Sequence, residues 1–274
     1  MVPGYTIVKL HIFHSGYCVS HGRVVDPVQG QKHCRFYATW ALIDHPEQGL
    51  ILFDTGYALR FRTATASWPY RLYALMTPLF LEAHETALER LKTLGYTPDQ
   101  IKTIIISHFH GDHIAGLKDF PQAKVFCSAS AWAQAGAVKG WAAVSKGILP
   151  DLIPADLEQR LYCIVDSDLG QLKKADSAYD LFGDGSIQLY ALPGHGRGQL
   201  GALLQTPEGP VFLAADAAWQ LEPWRAGILP KSIVRLFFDD WGAYKRTFGE
   251  LRDFAEAHRD CRIVFTHSPE LVER

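Results

Sequence analysis

Between residues 108 and 113 the chain reads His108-Phe109-His110-Gly111-Asp112-His113, straight after the apolar run Ile104-Ile105-Ile106. A strand that only had to pack would gain nothing from three imidazoles and a carboxylate at its end. His108 and His110 are two residues apart, the period of extended chain, so both rings face one side. Asp112 and His113 follow at a turn that Gly111 permits, leading into a short helix expected to start near Ile114 and to end or kink at Gly116. Ligands grouped at such a turn can reach two metal ions. Imidazole and carboxylate together suit zinc, with manganese, iron and cobalt as alternatives.

Four other apolar runs close on a residue of the same kind. "LILF" ends on Asp54, "QLYALPG" on His195, "VFLAA" on Asp216 and "RIVFT" on His267. Strand ends lying side by side would bring all of these to one edge with His108. Packing explains any one of them easily, and all five together poorly.

The elements that must do this positioning are legible as patterns. Strands are expected at 5–13, 36–44 and 49–56, the last two forming a hairpin turned at His45-Pro46-Glu47-Gln48. Further strands are expected at 101–107, 123–128, 186–194, 199–206, 210–216 and 261–267. A helix is expected over 81–94, where Leu81, His84, Leu88, Leu91 and Leu94 recur at three- and four-residue steps before Gly95. Small residues suggest another at 129–138. A third covers 240–258, with Trp241, Tyr244, Phe248, Leu251 and Phe254 on one side. Residues 139–180 read as helical or irregular, and 57–80 show no clear period. Two sheets covered outside by helices would satisfy this α/β order. With no repeat, low-complexity tract or Gly/Ser linker, residues 1–274 read as one domain.

Composition narrows the function. Hydrophobic residues make up 48% and charged residues 20%, enough for a sizeable core. The formal charge of −2, from 27 basic and 29 acidic side chains, gives no field for nucleic acid. No apolar run reaches the ~18–20 residues that would span a membrane, and the N-terminus does not read as a signal peptide. A cytoplasmic protein is the expectation. The five cysteines are widely spaced and form no C-x-x-C pair, so they read as free thiols. Asparagine is absent from the sequence.

"SHFHGDH", with "FDTG" upstream and then "LPGH", "AAD" and "FTH", resembles the metallo-β-lactamase superfamily from about residue 5 to the end. The resemblance implies a four-layer αββα sandwich with a dinuclear metal site along one edge. It implies that His108, His110 and His195 bind the first metal, that Asp112, His113 and His267 bind the second, and that Asp216 bridges both. Asp54 would hold the histidine loop by hydrogen bonds, as such sites commonly require. The implied chemistry is attack of a metal-bridging hydroxide on a carbonyl, with Asp112 or a water supplying the leaving group's proton.

Within the superfamily the chain is most similar to N-acyl homoserine lactone lactonases and related lactone hydrolases, through the early "DTG", an inserted segment, "LxxLGYTPDQIKTIIISHFHGDHIAG" and the later "PGH". It departs from their pattern at Trp219, where those enzymes carry a tyrosine three residues after the bridging aspartate. It departs again at Gln199, where a histidine often follows the "PGH". Thioester hydrolysis of the glyoxalase II kind and phosphodiester hydrolysis are alternatives on the same fold, and a metal-binding sensor with little turnover is another. The absent asparagine and the aspartate at 216 argue against a true β-lactamase, and His110 argues against the diiron electron-transfer branch. The expected substrate is a small molecule with an apolar portion, and the protein a monomer or homodimer.

Residues 57–80 are the expected cover of the pocket, with Phe61, Trp68 and Tyr73 as candidate substrate contacts and Trp219 opposite them. "GRGQLG" at 196–201 runs into a strand and reads as a turn, not a dinucleotide loop. Asp239 and Asp240 read as a helix cap and a partner of the helix dipole.

Overall fold

A computed structural model describes residues 5–28, 33–174 and 177–271. Among these residues, twelve strands form two sheets. The larger is built from β1 (Lys9–Ser20), β2 (Cys34–His45), β3 (Gly49–Phe53), β4 (Leu79–Phe80), β5 (Ile101–Ile105), β6 (Lys124–Ser128) and β7 (Leu161–Ile164), in the order β4-β1-β2-β3-β5-β6-β7. The smaller holds β8 (Tyr179–Asp180), β9 (Ile187–Ala191), β10 (Leu200–Thr206), β11 (Gly209–Leu213) and β12 (Arg262–Val264), in the order β12-β11-β10-β9-β8. Among the described residues, nine α-helices connect them: α1 (Gly22–Val25), α2 (Arg60–Ala64), α3 (Arg71–Met76), α4 (Ala87–Thr93), α5 (Gly111–Ile114), α6 (Ala129–Ala137), α7 (Gly140–Ser145), α8 (Leu221–Arg225) and α9 (Trp241–Ala257).

The period-2 alternation of the strands explains the layering. Ala41, Ile43, Ile51 and Phe53 face inward and meet Leu189, Ala202, Leu204 and Leu213 of the other sheet. Their neighbours Trp40, Leu42, Leu50 and Leu52 face outward, onto Phe61, Leu91, Ala131 and Ala143. On the far side, Tyr190, Leu203 and Phe212 pack under Phe248, Leu251 and Phe254 of α9. Three cores between four layers make the αββα sandwich. None of the described helices is long and apolar enough to cross a membrane.

Most expected elements appear, with instructive shifts. The β2–β3 hairpin pairs His45 with Gly49 as its turn residues imply. β1 runs well past Phe13, because an irregularity between His14 and Tyr17 absorbs the turn-like His14-Ser15-Gly16 and pairing resumes as far as Ser20 with Cys34. The helix expected over 81–94 begins only at Ala87. Two start signals split that run: the Glu82 N–H donates to Glu85 Oε2 (2.8 Å), and Thr86 Oγ1 then accepts from the Glu89 N–H (3.4 Å). The helix expected near Ile114 starts earlier, at Gly111. β7 and β8, at the edges of their sheets, were hidden in the stretch read as helical or irregular. Four and two residues carry too little period to be seen.

The loop after β9 shows how tightly the second sheet is fitted to its helix. Gly194 has φ +135°, and a Cβ there would lie 2.2 Å from the Tyr244 nitrogen and 2.3 Å from its Cα. By contrast Gly136, inside α6, has nothing within 4 Å of a would-be Cβ. Gly194→Ala is expected to destabilise the fold by more than ~1 kcal/mol, and Gly136→Ala to stabilise it by up to ~1 kcal/mol. Denaturant midpoints of the two variants check the pair.

Candidate metal centre

Five chain segments leave the two sheets at the same edge, and each delivers a polar side chain. β3 delivers Asp54, β5 leads through Ser107 to His108, β9 leads to His195, β11 to Asp216 and β12 to His267. All of these are buried, although their chemistry favours water. α5 supplies Asp112 and His113 one turn beyond His110. Among the described residues, three groups of side chains have potential ligand atoms within 4.8 Å of one another: His108, His110 and His195; His108, His113 and Asp216; and Asp112, His113 and His267. The structure thus brings all seven expected ligands together, from positions as far apart as 108 and 267.

Hydrogen bonds to the outer nitrogens orient the rings. Asp54 accepts from the Ser107 N–H (2.8 Å), the Ser107 hydroxyl (2.7 Å) and His113 Nδ1 (2.7 Å). With its own proton given to Asp54, the Ser107 hydroxyl is left to accept from His108 Nδ1 at 3.1 Å. His267 Nδ1 donates to the Tyr37 carbonyl at 2.8 Å. These partners place the proton of His108, His113 and His267 on Nδ1 and turn the Nε2 lone pair inward. Buried His108 Nε2, His113 Nε2 and Asp216 Oδ1 have no hydrogen-bond partner. His110 Nδ1 and His195 Nε2 face each other at 3.0 Å, and Asp216 Oδ2 lies 3.1 Å from both His195 Nε2 and His267 Nε2. Buried lone pairs that converge without donors between them are what a cation requires. The residues therefore fit a divalent metal pair.

Electrostatics divides the cluster. Burial, and then repulsion from His113, hold His108 well below the usual histidine range; burial and then His195 do the same for His110. Burial also opposes charge on His113 and His267, but nearby carboxylates outweigh it and raise both, chiefly Asp112 and Asp54 for His113 and Asp216 for His267. Asp216 is held well below its ordinary value: burial works against this, and His267, His113 and His195 overcome it. Burial pushes Asp54 up against the three donors aimed at it.

Aromatic rings wall the cluster. Phe36 stands edge-on to His267 (5.2 Å), Phe238 to His195 (4.8 Å) and Trp219 to His195 (6.1 Å). The cover segment contributes less directly than its sequence suggests. Phe61 is 1% exposed and packs in the outer core beneath Gly111. Trp68 is 59% exposed beside Trp141, apart from the cluster. Tyr73 packs edge-on to Phe61. Tyr57 and Cys18 lie within electrostatic reach of each other and of Asp112; burial raises the Tyr57 phenol and pushes the Cys18 thiol up to about 12. Neither stands in a recognisable motif, although Tyr57 directly follows "FDTG". A concavity of about 970 Å³ lies between α8, α9 and β12, but none of the seven side chains lines it.

A fold of four αββα layers and an edge set of five imidazoles and two carboxylates define a metallo-hydrolase type of scaffold. The signature of the metallo-beta-lactamase superfamily matches residues 35–257, and the chain belongs to that superfamily. Among curated proteins it is 27% identical over 269 residues to the N-acyl homoserine lactonase AttM of Agrobacterium fabrum, covering 97% of this chain and 95% of that one. It is also 27% identical over 230 residues to the N-acyl homoserine lactonase AiiB of the same organism, covering 80% and 75%. A solved N-acyl homoserine lactone hydrolase, crystallised with N-hexanoyl-L-homoserine at its catalytic metal centre, superposes with a TM-score of 0.75 at 20% identity, over 97% of this chain and 95% of that one.

His110→Ala is expected to abolish binding of at least one metal equivalent. Asp54→Ala, which removes no expected ligand, is expected to weaken metal affinity about 10–100-fold. Metal analysis and chelator competition on the two purified variants measure both outcomes.

Proposed function

We propose that this protein is a dinuclear metal-dependent hydrolase that opens lactones of the acyl homoserine lactone type. The observation that carries the reading is the set of inward-facing, donorless lone pairs at the sheet edge, in a chain matched nearly end to end by a lactonase. In this reading His108, His110 and His195 hold one cation, Asp112, His113 and His267 hold the other, and Asp216 touches both. Zinc suits the nitrogen-rich set best. Divalent ions bound there supply carbonyl polarisation and a water acidified to a pKa of about 7.

The chain's own residues do the rest. Asp112 Oδ2 lies 3.7 Å from both His113 Nε2 and His267 Nε2, and Asp112 is more open to the pocket than Asp216. It is placed to take a proton from the attacking water and to return it to the departing ring oxygen. Asp54 keeps His113 in one orientation. Trp219, whose indole N–H can donate but cannot ionise as a phenol does, joins Phe36 and Phe238 in excluding water and seating an apolar acyl chain. The whole chain then acts as one domain, with residues 57–80 covering the site through Tyr57 and Tyr73.

Purified protein is expected to hydrolyse N-acyl homoserine lactones, to lose that activity on dialysis against a chelator and to regain it with zinc. Faster turnover of a glutathione thioester or of bis-p-nitrophenyl phosphate than of every lactone tested overturns the substrate class. Trp219→Ala is expected to raise KM for a long-chain lactone about tenfold with a smaller change in kcat, because an aromatic contact is lost without loss of a reacting group. Steady-state kinetics over a range of acyl lengths checks this.

A further inference from the structure

His110 and His195 approach to 3.0 Å although they come from opposite sheets, one beyond β5 and the other beyond β9. Each is supported by a different neighbouring segment. The support of His110 is the end of α7. There the Gly147 N–H donates to the Val144 carbonyl (3.1 Å) and the Ile148 N–H to the Ala143 carbonyl (2.9 Å), with Gly147 at φ +67°. This paired closure of a helix needs a left-handed residue, which glycine supplies. It lays residue 147 flat on the imidazole: a Cβ there would sit 2.7 Å from His110 Cδ2 and 2.8 Å from Nε2.

The support of His195 is the segment just before α9. The Asp239 N–H donates to the His195 carbonyl and the Asp240 N–H to the Gly194 carbonyl, both at 3.0 Å. Asp240 is the N-cap of α9, its side chain accepting from the Ala243 N–H at 2.9 Å. Asp239, read from sequence as part of the same cap, does something else. Its Oδ1 accepts from Gln134 Nε2 of α6 (3.2 Å) and from Lys146 Nζ (3.4 Å). One carboxylate therefore ties the segment behind His195 to the helix end behind His110.

We propose that Asp239, acting through Lys146 and Gln134, is a positioning residue that sets the spacing of His110 and His195, and with it the affinity of the metal position those two histidines share. The inference rests on the proposed two-cation reading of the site. Asp239 is not among the clustered side chains that could hold a cation. The Lys146 and Asp239 side chains are 37% and 24% exposed, so the ion pair adds little to global stability. Its consequence is geometric, since a small displacement of one imidazole is enough to degrade a four-ligand site.

The test is cobalt titration of the full-length protein, followed by the ligand-field absorption of bound Co(II) and by chelator competition. Asp239→Ala is expected to weaken one of the two binding steps about tenfold and to alter that site's absorption, leaving the other step and the denaturant midpoint near wild type. Asp239→Asn, which keeps the oxygen acceptor, is expected to restore most of the affinity. Lys146→Met combined with Asp239→Ala is expected to cost no more than Asp239→Ala alone, because both cut one link. Should Asp239→Ala fail to fold, Lys146→Met and Gln134→Ala carry the same readouts. Wild-type uptake of two cobalt ions with unchanged affinities and spectrum in the variants overturns this inference alone. A wild-type protein that takes up no cobalt overturns the two-cation reading as well.

Discussion

Asp54 is the interaction around which the rest is arranged. It is a buried carboxylate at the end of a central strand, and burying such a charge is costly unless donors surround it. Three donors do so, and each comes from the loop that carries the histidines. Ser107 spends both its backbone and its side-chain proton on Asp54, and His113 spends its Nδ1 proton. Next to it, Thr55 bonds the His113 carbonyl through both its N–H and its hydroxyl at 2.8 Å. The histidine loop therefore cannot shift without stranding a buried charge. Its rigidity is enforced by the cost of breaking the cluster more than by any favourable term of its own.

The same logic explains why a site at a sheet edge can be buried. Each imidazole with an orienting partner gives one nitrogen to the protein and turns the other inward. Asp54, Ser107 and the Tyr37 carbonyl take the outward protons, while Phe36, Trp219 and Phe238 keep bulk water from the inward lone pairs. Low dielectric then strengthens whatever charge is placed among them. The outer shell is thus half polar and half aromatic: its polar half and Phe36 come from strands or strand ends, whereas Trp219 and Phe238 come from the loops that follow β11 and precede α9.

The sequence displayed this centre well and its surroundings poorly. His108, His110, Asp112 and His113 stand together because candidate ligands at one turn leave a local pattern. Asp54, His195, Asp216 and His267 were found because each closes an apolar run, and parallel or adjacent strands align their ends. Where neither device operates, the sequence is silent. The Tyr37 carbonyl is main chain and carries no signature. Cys18 and Phe36 face the site from long, largely apolar strands in which nothing sets them apart from core residues. Phe61 looked like a pocket residue because its neighbours are aromatic, but Gly111 leaves a space that its ring fills from below. Strands of two or four residues at sheet edges, β8 and β7, cannot express a period at all. Asp239 was indistinguishable from Asp240 until the register of α9 assigned the cap to only one of them.

Backbone conformation gives an independent sign of where the fold gives up stability. Among the described residues, only Asp54 (φ +57°) and Ala215 (φ +46°) adopt a positive φ without being glycine. One holds the histidine loop, and the other immediately precedes Asp216. Each such residue costs of order 1–3 kcal/mol and persists only where its surroundings over-determine it. At Asp54 the three donors do this. At Ala215 the carbonyl accepts from the Thr266 N–H at 3.2 Å, locking the residue before Asp216 to the residue before His267. The bend at Ala215 therefore does two things at once: it turns the Asp216 carboxylate into the cluster, and it fixes that carboxylate's approach to His267. Strain at these two positions, and at no other non-glycine among those described, is the backbone's share of the cost of bringing the ends of two sheets to one point.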